Sequence, residues 1–257
     1  MNRFFERVYA DFLKEPRFKE YEDIIRLAIE KGYIVTSVID YYRNYMNKDE
    51  KVLILRHDID VDKKGARIFF EIEKRYNVKA SYYFRLTTID YSLMDDIVKY
   101  GSEVGYHYEE LATYCKRNKI KSKLSITEKD LENIYNEFVS NLNTYFKSYD
   151  IKSIASHGDF YNRHIGVPNH YLFEKYSYED LGITVETYKK ELLESLDAYV
   201  SDARLKPFWR DGYSVVDAIK ENKKKILFLS HPANWNGFTF ENFKENLKRL
   251  FESFYMI

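Results

Sequence analysis

The segment KVLILRHDIDVD, residues 51–62, constrains the fold more than any other stretch of the chain. Val52 to Leu55 form an unbroken apolar run, which reads as a strand covered on both faces, as in a parallel sheet between helices. The run ends in Arg56, His57, Asp58, Asp60 and Asp62, charges that repel one another or demand partners. Asp58 and Asp60 are expected to need a bend at the strand end before both carboxylates face one pocket.

The rest of the chain repeats the strand-then-helix theme. FKEYEDIIRLAIEKG reads as an amphipathic helix stopped by Gly32, GARIFFEIEKRYNV as a second helix, KASYYFRL as a strand, and SLMDDIVKYG followed by EVGYH as a helix and a short strand. Ser125 with Glu128 suggests a capping box opening a long helix. IKSIASHG reads as a strand, 160–200 has no clear pattern, YVSD is a short strand, YSVVDAIKEN a helix, KKILFLSH a strand and 240–254 a closing helix. This alternation predicts an α/β barrel or open parallel sheet in a single domain over 1–257, with residues 1–50 as an N-terminal helical extension.

Lys and Arg number 41 and Asp and Glu also 41, so no net field draws the chain to nucleic acid or an anionic bilayer. Cys115 is the single cysteine, which excludes an intramolecular disulfide and a multi-thiolate zinc site. The charged N-terminus lacks the apolar core of a secretory signal, and no run is long enough for a membrane span. A soluble, cytoplasmic protein is expected, of unspecified oligomeric state.

Four of the six histidines stand where an apolar strand ends: His57, His107, His157 and His231. In a barrel of parallel strands such ends open on one face, so these side chains are expected to converge. Neutral imidazoles with a carboxylate make a catalytic zinc site, and a divalent ion would relieve repulsion between Asp58 and Asp60.

RHDID, EVGYHYE, SHG and LSHPANW, in this order, resemble the polysaccharide deacetylases, the NodB-homology group of carbohydrate esterase family 4, in a divergent WbmS-like branch found with surface-polysaccharide genes. The similarity spans roughly residues 50 to 240. It implies a distorted (β/α)7 barrel and a metal-dependent carbohydrate deacetylase, cleaving an amide or ester of an acetylated sugar precursor. By that resemblance Asp58 is the general base, His107 a metal ligand and His231 the acid for the leaving group. Ile59 replaces the family's second aspartate, leaving Asp60 to substitute, and Leu111 replaces its second histidine, so His157 is expected as third ligand with Glu109 or Glu110 as substitutes. The cofactor implied is a divalent metal, zinc first.

Around this centre Arg56 and Arg85 are candidates to orient Asp58, and Arg210 with Asp202 to orient His231. Glu109, Trp209 and Trp235 are candidate substrate contacts, the tryptophans as sugar-stacking platforms. Two alternatives remain at this point: a metal-independent hydrolase of cyclic amides or ureides on the same scaffold, and a non-catalytic carbohydrate-binding protein.

Overall fold

The computed structural model describes residues 8–203 and 207–237, with Phe243 and Leu247. The closing helix expected over 240–254 lies, those two residues apart, outside the described residues. Eight strands form one sheet: β1 (Ile34–Thr36), β2 (Val52–Ile59), β3 (Ser81–Phe84), β4 (Glu103–Tyr108), β5 (Ser153–Ser156), β6 (Val185–Glu186), β7 (Ala198–Ser201) and β8 (Lys225–Ser230). Seven follow the order β6-β5-β4-β3-β2-β8-β7, and every pairing is parallel. β1 lies against the first half of β2, while β3 takes the second half. Residues 34–36, expected within a helical extension, are thus part of the sheet.

The path curls into an open half-barrel. In a flat sheet β2 and β6 would stand roughly 19 Å apart, four spacings of about 4.8 Å. Yet Arg56 on β2 reaches the hydroxyl of Tyr188, two residues past β6, at 3.4 Å. Among the described residues β6 and β7 do not pair, but Tyr188 and Tyr199 are close enough across the seam to interact electrostatically.

The principal covering helices are α1 (Phe18–Glu30), α2 (Lys63–Arg75), α3 (Tyr91–Tyr100), α4 (Glu110–Arg117) and α5 (Glu128–Tyr145). Asp90 caps α3 through the Leu93 N–H, and Gly101 ends it at φ 86°, a left-handed conformation open to glycine. The capping box of α5 is Thr127 with Asp130, two residues later than expected. Ser125 closes a 3-10 turn, whereas Thr127 has the extended backbone that a cap requires.

Side-chain alternation along the strands separates two apolar layers. Leu53, Leu55 and Ile59 face the helices together with Phe69, Tyr82 and Phe228. Val52 and Ile54 face the barrel interior with Tyr83, Ala155, Val185 and Leu227. Tyr83 lies across that interior because Gly105 leaves space for its ring. A Cβ at Gly105 would overlap the ring and stand 2.8 Å from the Ser153 carbonyl oxygen. No helix among the described residues is long and apolar enough to cross a membrane.

Candidate active site

Residues two apart on an extended strand share a face, so Arg56, Asp58 and Asp60 follow Val52 and Ile54 toward the interior. β2 stays extended through Ile59, and the chain bends at Asp60 and Val61 as it enters the loop. Arg56, fully buried, donates from Nε to Asp58 Oδ1 (2.9 Å) and from a terminal nitrogen to Asp58 Oδ2 (2.8 Å). Its guanidinium lies 4.9 Å from the Tyr188 ring and 5.6 Å from the Tyr83 ring. Burial pushes the Asp58 carboxyl upward, but Arg56, His107 and His231 outweigh it and hold the group below its ordinary value.

His57 points the other way, which corrects the expected convergence of four histidines. Its Nδ1 meets Ser230 Oγ at 2.7 Å and its Nε2 meets Glu73 Oε1 at 2.7 Å, between the sheet and α2. Asp62 serves the backbone: its carboxylate accepts from the Gly65 N–H (3.0 Å) at the start of α2 and from Asn236 (2.8 Å).

Asp60, His107 and His157 converge. Asp60 Oδ1 stands 3.3 Å from His107 Nε2 and 3.1 Å from His157 Nδ1, and the two nitrogens are 3.2 Å apart. His107 Nδ1 lies 2.9 Å from the Ala155 carbonyl oxygen, which can only accept. Nδ1 therefore donates to that oxygen, which fixes the ring orientation and turns Nε2 toward the group. Burial raises the Asp60 carboxyl, but His157 and His107 outweigh it and the group lies well below the ordinary carboxylate range.

A divalent cation fits this donor set. Tetrahedral zinc with bonds of about 2.0–2.1 Å separates its donors by about 3.3–3.4 Å. The observed triangle of 3.1, 3.2 and 3.3 Å is within a few tenths of an ångström of that. Two imidazole nitrogens and one carboxylate oxygen also match the nitrogen and oxygen ligation that catalytic zinc takes, with a coordination position left over.

His231 follows β8 and completes the mouth. The Asp202 carboxylate, fully buried, accepts from His231 Nδ1 (2.7 Å), the His231 backbone N–H (2.8 Å), Asn234 (2.9 Å) and Trp235 Nε1 (2.6 Å). Burial alone would lower the His231 pKa, but Asp202, Asp60 and Asp58 push it up to about 9. Pro232 starts a short helical turn, Pro232–Trp235, that folds Asn234 and Trp235 back onto Asp202.

Several expected contacts fall elsewhere. Trp235 is fully buried and held by Asp202, so its faces are closed to a sugar. Trp209 is half-buried against Phe208, Phe228 and Trp235. Arg210 is exposed on a turn, while Asp202 takes the four hydrogen bonds just given. Arg85 pairs with Glu109 instead of Asp58, through Nε (3.0 Å) and a terminal nitrogen (2.7 Å), and donates to the Asp60 backbone carbonyl (3.1 Å). Glu109 also belongs to a looser group with His157 and Asp159. Glu110 is buried facing outward, accepting from Tyr106, Asn141 and the Glu109 N–H. Tyr188 and Glu186, unnoticed in the sequence, support Arg56 and the ends of β4 and β5.

No protein-family model matches the chain, and no curated protein does. Among solved structures it is similar to the Xyl-CE4 domain of a multidomain xylanase from the hindgut metagenome of Trinervitermes trinervoides. That alignment has a TM-score of 0.35 and 14% identity, covering 80% of this chain and 83% of the other. Likeness of that degree carries no functional argument, so function rests on the site itself.

Proposed function

We propose that the protein is a metal-dependent hydrolase that removes an acyl group, acetyl first, from an amide or ester of a sugar. The observation that carries this reading is the triangle of Asp60, His107 and His157 beside an Arg-held carboxylate and an Asp-held imidazole. Asp60, His107 and His157 would hold the ion. A divalent cation there supplies Lewis acidity, polarising an acyl carbonyl and acidifying water.

The remaining chemistry belongs to side chains of this chain. Arg56 keeps Asp58 ionised and fixes both of its oxygens, so the carboxylate is ready to accept a proton from water as the new C–O bond forms. His231 donates Nδ1–H to Asp202 and therefore directs Nε2 away from it. Below about pH 9 that nitrogen carries a proton, which passes to the departing amine or alkoxide as the C–N or C–O bond breaks. Acetate and the freed sugar are the products. The carbohydrate assignment follows the resemblance of RHDID, EVGYHYE, SHG and LSHPANW.

The test is acetate release from N-acetylated and O-acetylated sugars by zinc-loaded protein. Turnover is expected to vanish on chelation and to return with zinc. Release that persists undiminished in chelator, with the metal shown to be gone, contradicts the proposal.

A further inference from the structure

The hydrogen-bond ladder between β5 and the two-residue β6 stops at Ile154 and Glu186. Past that point a side chain takes over. Glu186 Oε1 accepts from the Ser156 N–H (3.2 Å) and the Tyr108 hydroxyl (3.1 Å), and Oε2 accepts from the Tyr188 N–H (2.6 Å). Ser156 precedes His157, Tyr108 follows His107, and Tyr188 supports Arg56. The Tyr108 backbone carbonyl also accepts the His157 N–H at 2.9 Å, so both ligand-bearing strand ends hang on the same few groups.

Glu186 is costly to bury. Desolvation pushes its carboxyl up to about 7 against the opposing pull of the Tyr188 N–H, Arg56, Tyr108 and Ser156. A residue that only filled this space would be apolar, with no such cost.

We propose that Glu186 is a positioning residue for the metal group, its carboxylate setting the separation of His107 and His157 while holding Tyr188 beneath Arg56. The inference rests on the metal reading above. Hydrogen bonds made to ligands themselves typically cost about 10- to 100-fold in metal affinity when lost, and Glu186 acts one residue removed from each ligand, so a smaller loss is expected.

Glu186→Gln keeps size and shape but replaces one acceptor oxygen with a donor. Zinc affinity, read by competition with a chromophoric chelator, is expected to fall by up to about 10-fold. Loss of one acceptor against a buried donor should lower the thermal midpoint of the metal-free protein as well, so affinity is read on the folded fraction. Affinity unchanged from the unaltered chain overturns the proposal.

Histidine-ring NMR of the metal-free protein gives a second readout. Glu186→Gln is expected to shift the His107 and His157 resonances and leave those of exposed His164 in place. Unmoved His107 and His157 overturn the proposal even if the unaltered chain binds no zinc, a result that would itself count against the metal reading. Should Glu186→Gln fail to fold, Tyr108→Phe removes one arm and is expected to move both readouts the same way by less; no movement overturns the inference.

Discussion

The end of β2 sends the same kinds of residue to two sides, with opposite outcomes. On the helix side, His57 is enclosed by Glu73, Ser230 and Tyr21, and Glu73 also accepts from Tyr21 (2.6 Å) and Tyr82 (2.5 Å). His57 and Glu73 have no exposed surface, and each of their side-chain polar atoms has a partner in the chain. On the interior side, Asp58 and Asp60 meet His107, His157 and His231 at the mouth, and Asp60, His107 and His157 each turn one ligand atom toward a common point. A histidine beside a carboxylate is therefore not a site in itself. What separates the two faces is whether the valences close among themselves or converge on a space.

The largest expected contrast comes from Asp58→Asn. Turnover should fall by about 10²- to 10⁴-fold, the usual worth of a general base, with zinc stoichiometry unchanged by elemental analysis. Undiminished turnover would remove Asp58 from the chemistry.

Glu73→Ala on the opposite face should do the reverse. It strips acceptors from His57, Tyr21 and Tyr82 at about 1–3 kcal/mol each, so denaturant unfolding should show a loss on the order of 3 kcal/mol or more. Zinc affinity of the folded fraction should hold. A variant that keeps its stability but loses zinc would erase the distinction between the faces.

Gly105→Ala tests the interior floor. The new methyl displaces the Tyr83 ring, on which Arg56 rests, and about 1–3 kcal/mol of destabilisation is expected from such overpacking. Unaltered stability would mean that the ring moves aside freely.

A further contrast is a drift with pH in the metal-free protein. The His231 pKa rises from 6.5 to about 9 in the fold, so its pairing with Asp202 contributes fully below pH 6.5 and is lost as pH climbs through about 9. His231→Gln should flatten this part of the thermal-midpoint profile. Superimposable profiles would show that the pair adds no pH-dependent stability.

Much of this arrangement is legible in the sequence. Apolar runs that end in Asp58, His107, His157 and His231 mark strand ends, and parallel strands bring such ends to one face. The same period-two rule also tells His57 from Asp58 and joins Asp60 to Asp58, once side-chain parity is followed through the strand. Trp235 is harder to read, because its acceptor Asp202 lies 33 residues away, just past the end of β7. Nothing in the HPANW motif announces a carboxylate waiting behind the turn. Glu186 is less visible still. A strand of two residues has no period, and the surrounding 160–200 segment is built of short turns held by tertiary contacts.

The most direct measurement is anomalous diffraction at the zinc edge from crystals grown with the metal. One peak is expected, bonded to Asp60 Oδ1, His107 Nε2 and His157 Nδ1 at about 2.0–2.1 Å. A map with zinc bound only elsewhere, and His107 and His157 still in direct contact with each other and Asp60, would contradict the metal centre.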